Sequence, residues 1–195
     1  MRQYIWIALI LALNACSNNN KEKEIAAAPV PAVAEEKPDF IPVTSFIKGE
    51  IVAIKDNFRN PIKYITVKEH TDSIFLKFED LAEQLKEFVH PVIDTANLIN
   101  WFTETKFVDQ SINAVTFTYD PKTQLPDSMP LRHWDVYMDP ETGKITRVYM
   151  VKKSVGNKTL QLTWQSGESC KITTLVKNTD GTLSVEKEEK IAWAY

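Results

Sequence analysis

From residue 114 onward the chain repeats one device: a short run of alternating apolar and polar side chains, then a turn. Six such runs follow one another, "AVTFTYD", "RHWDVYMD", "KITRVYMVKK", "KTLQLTWQ", "SCKITTLVK" and "TLSVEKEEKIAWA". Four of the five glycines fall in the turns "DPETGK", "VGNK", "QSGES" and "NTDGT" between them, where hairpins need residues that accept positive φ. This is the pattern of an antiparallel β-meander. Period-2 alternation assigns faces: Trp134, Val136 and Met138; Leu160, Leu162 and Trp164; Cys170, Ile172, Thr174 and Val176; Leu183 and Val185 form one apolar side. Thr, Lys, Gln and Glu form the other, so one face packs and the other is wet. Only "VYMV" at 148–151 is apolar in both directions, which reads as a central strand covered on both faces.

The apolar side needs a cover, and the preceding segment supplies amphipathic helices. In "VTSFIKGEIVAIKDN" an N-cap is expected at Thr44 or Ser45, with Phe46, Ile47, Ile51, Ile54 and Phe58 at helical spacing. "EDLAEQLKEFV" at 79–89 is expected to be one helix burying Leu81, Leu85 and Phe88 and closed by Pro91. A short helix is expected around 95–102. "PIKYITVKE" and "SIFLKF" alternate as a hairpin. The expected fold is α+β, an antiparallel meander of about 6–8 strands with amphipathic helices packed on one face.

The amino terminus is of another kind. Arg2 is followed by an apolar run at 4–13, well short of the roughly 20 residues a bilayer span takes, so it reads as the core of an export signal. The run ends "LNAC". This resembles the lipobox of bacterial lipoproteins, in which the chain is cut before the cysteine, here Cys16, and its thiol carries diacylglycerol. A thiolate is the side-chain nucleophile suited to that alkylation. The resemblance implies a signal peptide at 1–15, a lipidated Cys16 and membrane attachment through that lipid, in the outer membrane, facing periplasm or surface. Residues 17–42, "SNNNKEKEIAAAPVPAVAEEKPDFIP", are too polar and proline-rich to form a core. As a tether they would reach on average roughly 25–30 Å. The expected organisation is signal peptide 1–15, lipidated cysteine and tether 16–42, and one α+β domain at 43–195.

Charge narrows the partners. Without residues 1–15 the chain carries 22 basic and 26 acidic residues, net −4, which argues against nucleic acid. All glycines but Gly49 are spent on turns, so the usual phosphate-cradling loops are excluded. No cofactor is expected. Cys170, left without an intrachain partner, is expected to be a buried, inert thiol.

The histidines His70, His90 and His133 lack metal-ligand spacing. His133, Asp135 and Tyr137 share the polar side of one strand, with Asp139 beyond, and are the candidate residues for a polar ligand. "HWDVYMDPETGKITRVYM" resembles the hairpin of PepSY-type extracytoplasmic domains at Trp134, Val136, Asp139, Gly143 and Ile145. Those modules bind and restrain secreted peptidases. The expected function is that of a non-enzymatic binding or assembly module in the cell envelope with a protein partner. The alternatives are a carrier of lipid or another apolar ligand, a PepSY-like restraint on a peptidase, and an enzyme built around His133 and Asp135.

Overall fold

The structure is a computed structural model and describes residues 39–56 and 60–193. The readings at 1–15, at Cys16 and over most of the tether, and that of Phe58, lie outside the described residues. The elements run α1 (Val43–Asp56), β1 (Ile62–Val67), β2 (His70–Phe75), α2 (Phe78–Gln84), α3 (Lys86–Val89), α4 (Thr95–Leu98) and β3 (Phe102–Asp109). Then come β4 (Ala114–Pro121), β5 (Leu131–Met138), β6 (Ile145–Lys153), β7 (Lys158–Gln165), β8 (Ser169–Lys177) and β9 (Leu183–Ala192).

All nine strands form one antiparallel sheet in the order β2-β1-β9-β8-β7-β6-β5-β4-β3. The meander from β3 to β9 is unbroken, and the early hairpin β1-β2 joins it beside β9. Each turn glycine has positive φ; Gly143 (+66°) closes β5-β6 and Gly181 (+86°) closes β8-β9. Nine strands exceed the expected 6–8. The additional one is β3, in a segment partly read as helix: α4 stops after one turn and Phe102 already belongs to the strand. Its sequence "FTETKFVD" lies at the sheet edge with mostly exposed side chains, so little apolar alternation marks it.

The helix expected at 79–89 is two pieces, α2 and α3, hinged at Leu85 (φ −103°, ψ 4°). Leu81, Leu85 and Phe88 are buried as their spacing requires. Helix α1 begins at Val43, and its Thr44 does not cap it. The buried Thr44 hydroxyl accepts from the Ile93 N–H at 2.8 Å instead, joining α1 to the segment after α3.

Aromatic side chains fill the core. Trp134 stacks on Tyr119 at 4.4 Å and meets Phe102 and Phe40 edge-on at 4.7 and 6.0 Å. Trp164 contacts Phe88 at 5.3 Å and Trp193 at 5.1 Å. Such offset and edge contacts add to the area these rings bury. Phe40 is held by its backbone too: its N–H donates to the Thr95 hydroxyl (2.7 Å), which donates to Asp39 (2.8 Å).

Lys152 also lies among the buried residues, opposite Leu131. Its ammonium donates to the carbonyls of Glu87 (2.9 Å) and His90 (2.7 Å) and to the Glu87 carboxylate. A cation thus closes the carboxyl end of α3, where helix carbonyls lack partners.

Face assignment from the sequence holds for Trp134, Val136, Leu162, Trp164 and Cys170, all buried. It fails for Leu183 and Val185, which are 60% and 57% exposed. Register places Thr174 opposite Lys187 but Leu175 opposite Val185, so Glu186 is an extra residue. A bulge of this kind inverts every face beyond it. "VYMV" also differs from expectation: Val148 and Met150 are buried, whereas Tyr149 and Val151 on the other side are half-buried, and β7 is the middle strand. Among the described residues no helix is long and apolar enough to cross a membrane.

Candidate functional site

Register builds the site. On the wet face Asp135 lies opposite Tyr149, Tyr149 opposite Thr163, Thr163 opposite Lys171, Lys171 opposite Lys190, and Lys190 opposite Tyr64. One row of polar and tyrosine side chains therefore crosses the sheet from β5 to β1. Two hollows open along it. The larger, about 900 Å³, runs over β2, β1, β9, β8 and β7 and includes Tyr64, Thr66, Thr163, Gln165, Lys171 and Glu188. The smaller, about 270 Å³, is lined by Asp135, Tyr137, Arg147, Tyr149 and Thr163. Thr163 belongs to both. A single hollow thus spans five strands on this face.

Of the three candidate residues on β5, the structure joins His133 and Asp135 directly. His133 Nε2 is 3.0 Å from Asp135 Oδ2, and its Nδ1 is 2.8 Å from Asp120 Oδ1 on β4. Asp135 also accepts from the Thr118 hydroxyl at 2.7 Å. The hydrogen bond to Asp135 holds the imidazole above its ordinary pKa; burial opposes this and Asp120 reinforces it. Burial alone would raise the Asp135 carboxyl, but the hydrogen bonds from His133 and Thr118 outweigh it and hold it low. When doubly protonated, the ring donates at both ends and closes a charge-assisted network.

Tyr137 joins that network through Asp135, whose carboxyl its hydroxyl also helps to hold low. Its ring lies under the Arg147 guanidinium at 3.9 Å, a cation–π stack that forms one wall of the smaller hollow. Asp139 belongs to the β5-β6 turn, where its carboxylate accepts from the N–H groups of Glu141 and Thr142. Asp120, Thr118, Arg147 and Tyr149 were missed in the sequence. Alternation puts Thr118 and Asp120 on a polar face, while Tyr149 falls in the run read as apolar on both sides; only the strand register brings these residues to His133 and Asp135.

The sign of the pH dependence follows from these shifts. His133, with its folded pKa raised, stabilises the fold fully below about pH 6.5 and loses that contribution as pH rises through the folded value. Asp135, with its folded pKa lowered, contributes above about pH 4 and loses it as pH falls through the folded value. In His133→Gln the decline on the alkaline side is expected to disappear. Chemical denaturation at a series of pH values checks this; an unchanged decline rules His133 out as its source.

On the other side a hollow of about 220 Å³ lies near α2 and α3, with Lys63 bonded to Gln84 (2.6 Å) and Glu189 (2.8 Å) at its wall. Cys170 is buried there and its thiol is pushed up by desolvation. The folded protein is expected to leave Cys170 unmodified by a thiol reagent until it is denatured; rapid native labelling would contradict the packing. Among the described residues no group of three or more His, Cys, Asp or Glu is placed to hold a metal ion. Comparison with protein-family models, curated proteins and solved structures finds no match to this chain.

Proposed function

We propose that this chain is an exported lipoprotein, anchored through lipid on Cys16, whose wet sheet face is a non-enzymatic binding surface in the cell envelope. In this reading the fold is α+β, with α1 to α4 covering one side of the sheet and leaving the wet side open to a partner. The observation that carries the proposal is the hollow of about 900 Å³ across five strands. A preformed concavity with convergent polar groups is a default place to seek a ligand.

The chemistry of His133 supports binding over catalysis. Each of its nitrogens faces a carboxylate, so neither is free to take a proton from a bound molecule. The filled interior supports an outer-face binder over a carrier of apolar ligands. Trp134, Trp164 and Trp193 are buried in the core, and the nearby hollow has charged walls.

Intact-mass analysis of the membrane fraction tests the anchor. The chain is expected to begin at a diacylglyceryl-modified Cys16, and Cys16→Ala is expected to move to the soluble fraction. An unmodified Cys16 in a soluble protein contradicts the proposal.

A further inference from the structure

Resting on that reading of the wet face, we propose that its trough binds a neutral polysaccharide chain, with Tyr64 and Tyr149 as the stacking platforms at its two ends. Three observations bear on the ligand's chemistry. The first is charge. The larger hollow has Glu168 and Glu188 against Lys171 and Lys190, and the smaller has Asp135 against Arg147. Internal pairing consumes part of this charge: Lys171 bonds Glu188 at 3.1 Å, and the Thr173 hydroxyl bonds the same carboxylate at 3.0 Å. A balanced lining exerts no net pull on a polyanion or polycation, and it complements an uncharged ligand.

The second observation is the kind of polar group presented. Away from the charges the floor is hydroxyl and amide: Thr66, Thr71, Thr163, Ser169 and Gln165. Hydroxyls and carboxamides both donate and accept, which matches a ligand whose rim is made of hydroxyls that do the same. None of the exposed large apolar side chains lines either hollow; Leu183 and Val185 share the wet face of β9 but lie beyond the larger one, and others sit at edges and turns. Phe75 on β2, Val108 on β3 and Val155 between β6 and β7 are the most exposed of them.

The third observation is spacing. Tyr64 and Tyr149 are half-buried and stand on the same cross-strand row with Thr163, Lys171 and Lys190 between them. Four strand-to-strand steps separate them, about 19 Å along the sheet. One sugar ring cannot reach both, whereas a chain laid across the strands can. The apolar C–H face of a pyranose packs on a tyrosine ring while its hydroxyls meet the floor.

The test is retention of the full-length protein, in mild detergent, on a panel of immobilised neutral and acidic polysaccharides. Retention by a neutral polysaccharide is expected, unchanged by about 0.5 M salt, at which ionic attraction is largely screened. Tyr64→Ala and Tyr149→Ala are each expected to weaken it about tenfold. Thr163→Arg, which crowds the point shared by both hollows without removing a ring, is expected to abolish it. Circular dichroism of each variant separates lost binding from lost fold. No retention on any neutral polysaccharide, retention only on acidic ones and lost in salt, or retention indifferent to all three variants overturns the proposal. A photo-crosslinker at Thr163 separates the two levels of inference. If it captures a protein while the neutral panel is blank, the saccharide is refuted and the binding face stands; if both are blank, both fall.

Discussion

Lys152→Ala is expected to lose about 3 kcal/mol of folding stability, roughly 1 kcal/mol for each of the three hydrogen bonds its ammonium makes. The wild-type ammonium is almost wholly buried and serves three acceptors, two of them the Glu87 and His90 carbonyls at the end of α3. Deleting it leaves those carbonyls without this donor and the part-exposed Glu87 carboxylate without its cation. Lys152→Met, which keeps the length and volume of the stem, is expected to recover only the packing part. Adding Glu87→Gln to Lys152→Met removes the stranded charge and is expected to recover more. Urea unfolding of the four proteins checks this, with midpoints shifting and slopes unchanged. A shift below about 1 kcal/mol in Lys152→Ala would mean that the three bonds contribute no more than an exposed pair.

Trp134→Ala is expected to cost about 3–5 kcal/mol, for a different reason. Its indole is fully buried and touches Tyr119, Phe102 and Phe40. Truncation opens a large cavity and removes the surface on which Phe40 is seated. The near-ultraviolet circular dichroism of the stacked Trp134–Tyr119 pair should vanish with it. Trp134→Phe keeps part of the contact and is expected to cost less. If Trp134→Ala unfolds at the wild-type denaturant concentration, the aromatic cluster does not carry the stability assigned to it.

Local chemistry made the sheet legible in the sequence. Alternation around Trp134, Trp164 and Cys170 gave the buried face, and the turn glycines gave the strand ends. Three features escaped because they depend on pairing rather than on the pattern of one segment. The bulge at Glu186 turns Leu183 and Val185 outward, although an unbroken alternation would bury them. Strand β3 holds its place by pairing from Phe102↔Pro121 to Asp109↔Ala114, with few apolar residues to announce it. The α2-α3 hinge at Leu85 leaves Leu81 and Phe88 buried, so the helical spacing reads through it.

The candidate site was legible only in part for the same reason. His133 and Asp135 sit two apart on one strand and are evident together. Asp120, the second carboxylate on His133, is on a different strand. Its approach needs the β4–β5 register, in which Tyr119 lies opposite Trp134 and Asp120 follows beside His133. The row from Asp135 to Tyr64 joins residues 71 positions apart in the chain, beyond the reach of any local motif.

The proposal that a ligand meets the wet face of the sheet, and not α1, is tested most directly by photo-crosslinking in intact cells, with the probe placed at Thr163 on that face or at exposed Val52 on α1. An adduct, saccharide or protein, is expected from position 163 and none from position 52. An adduct from position 52 alone would contradict the proposal.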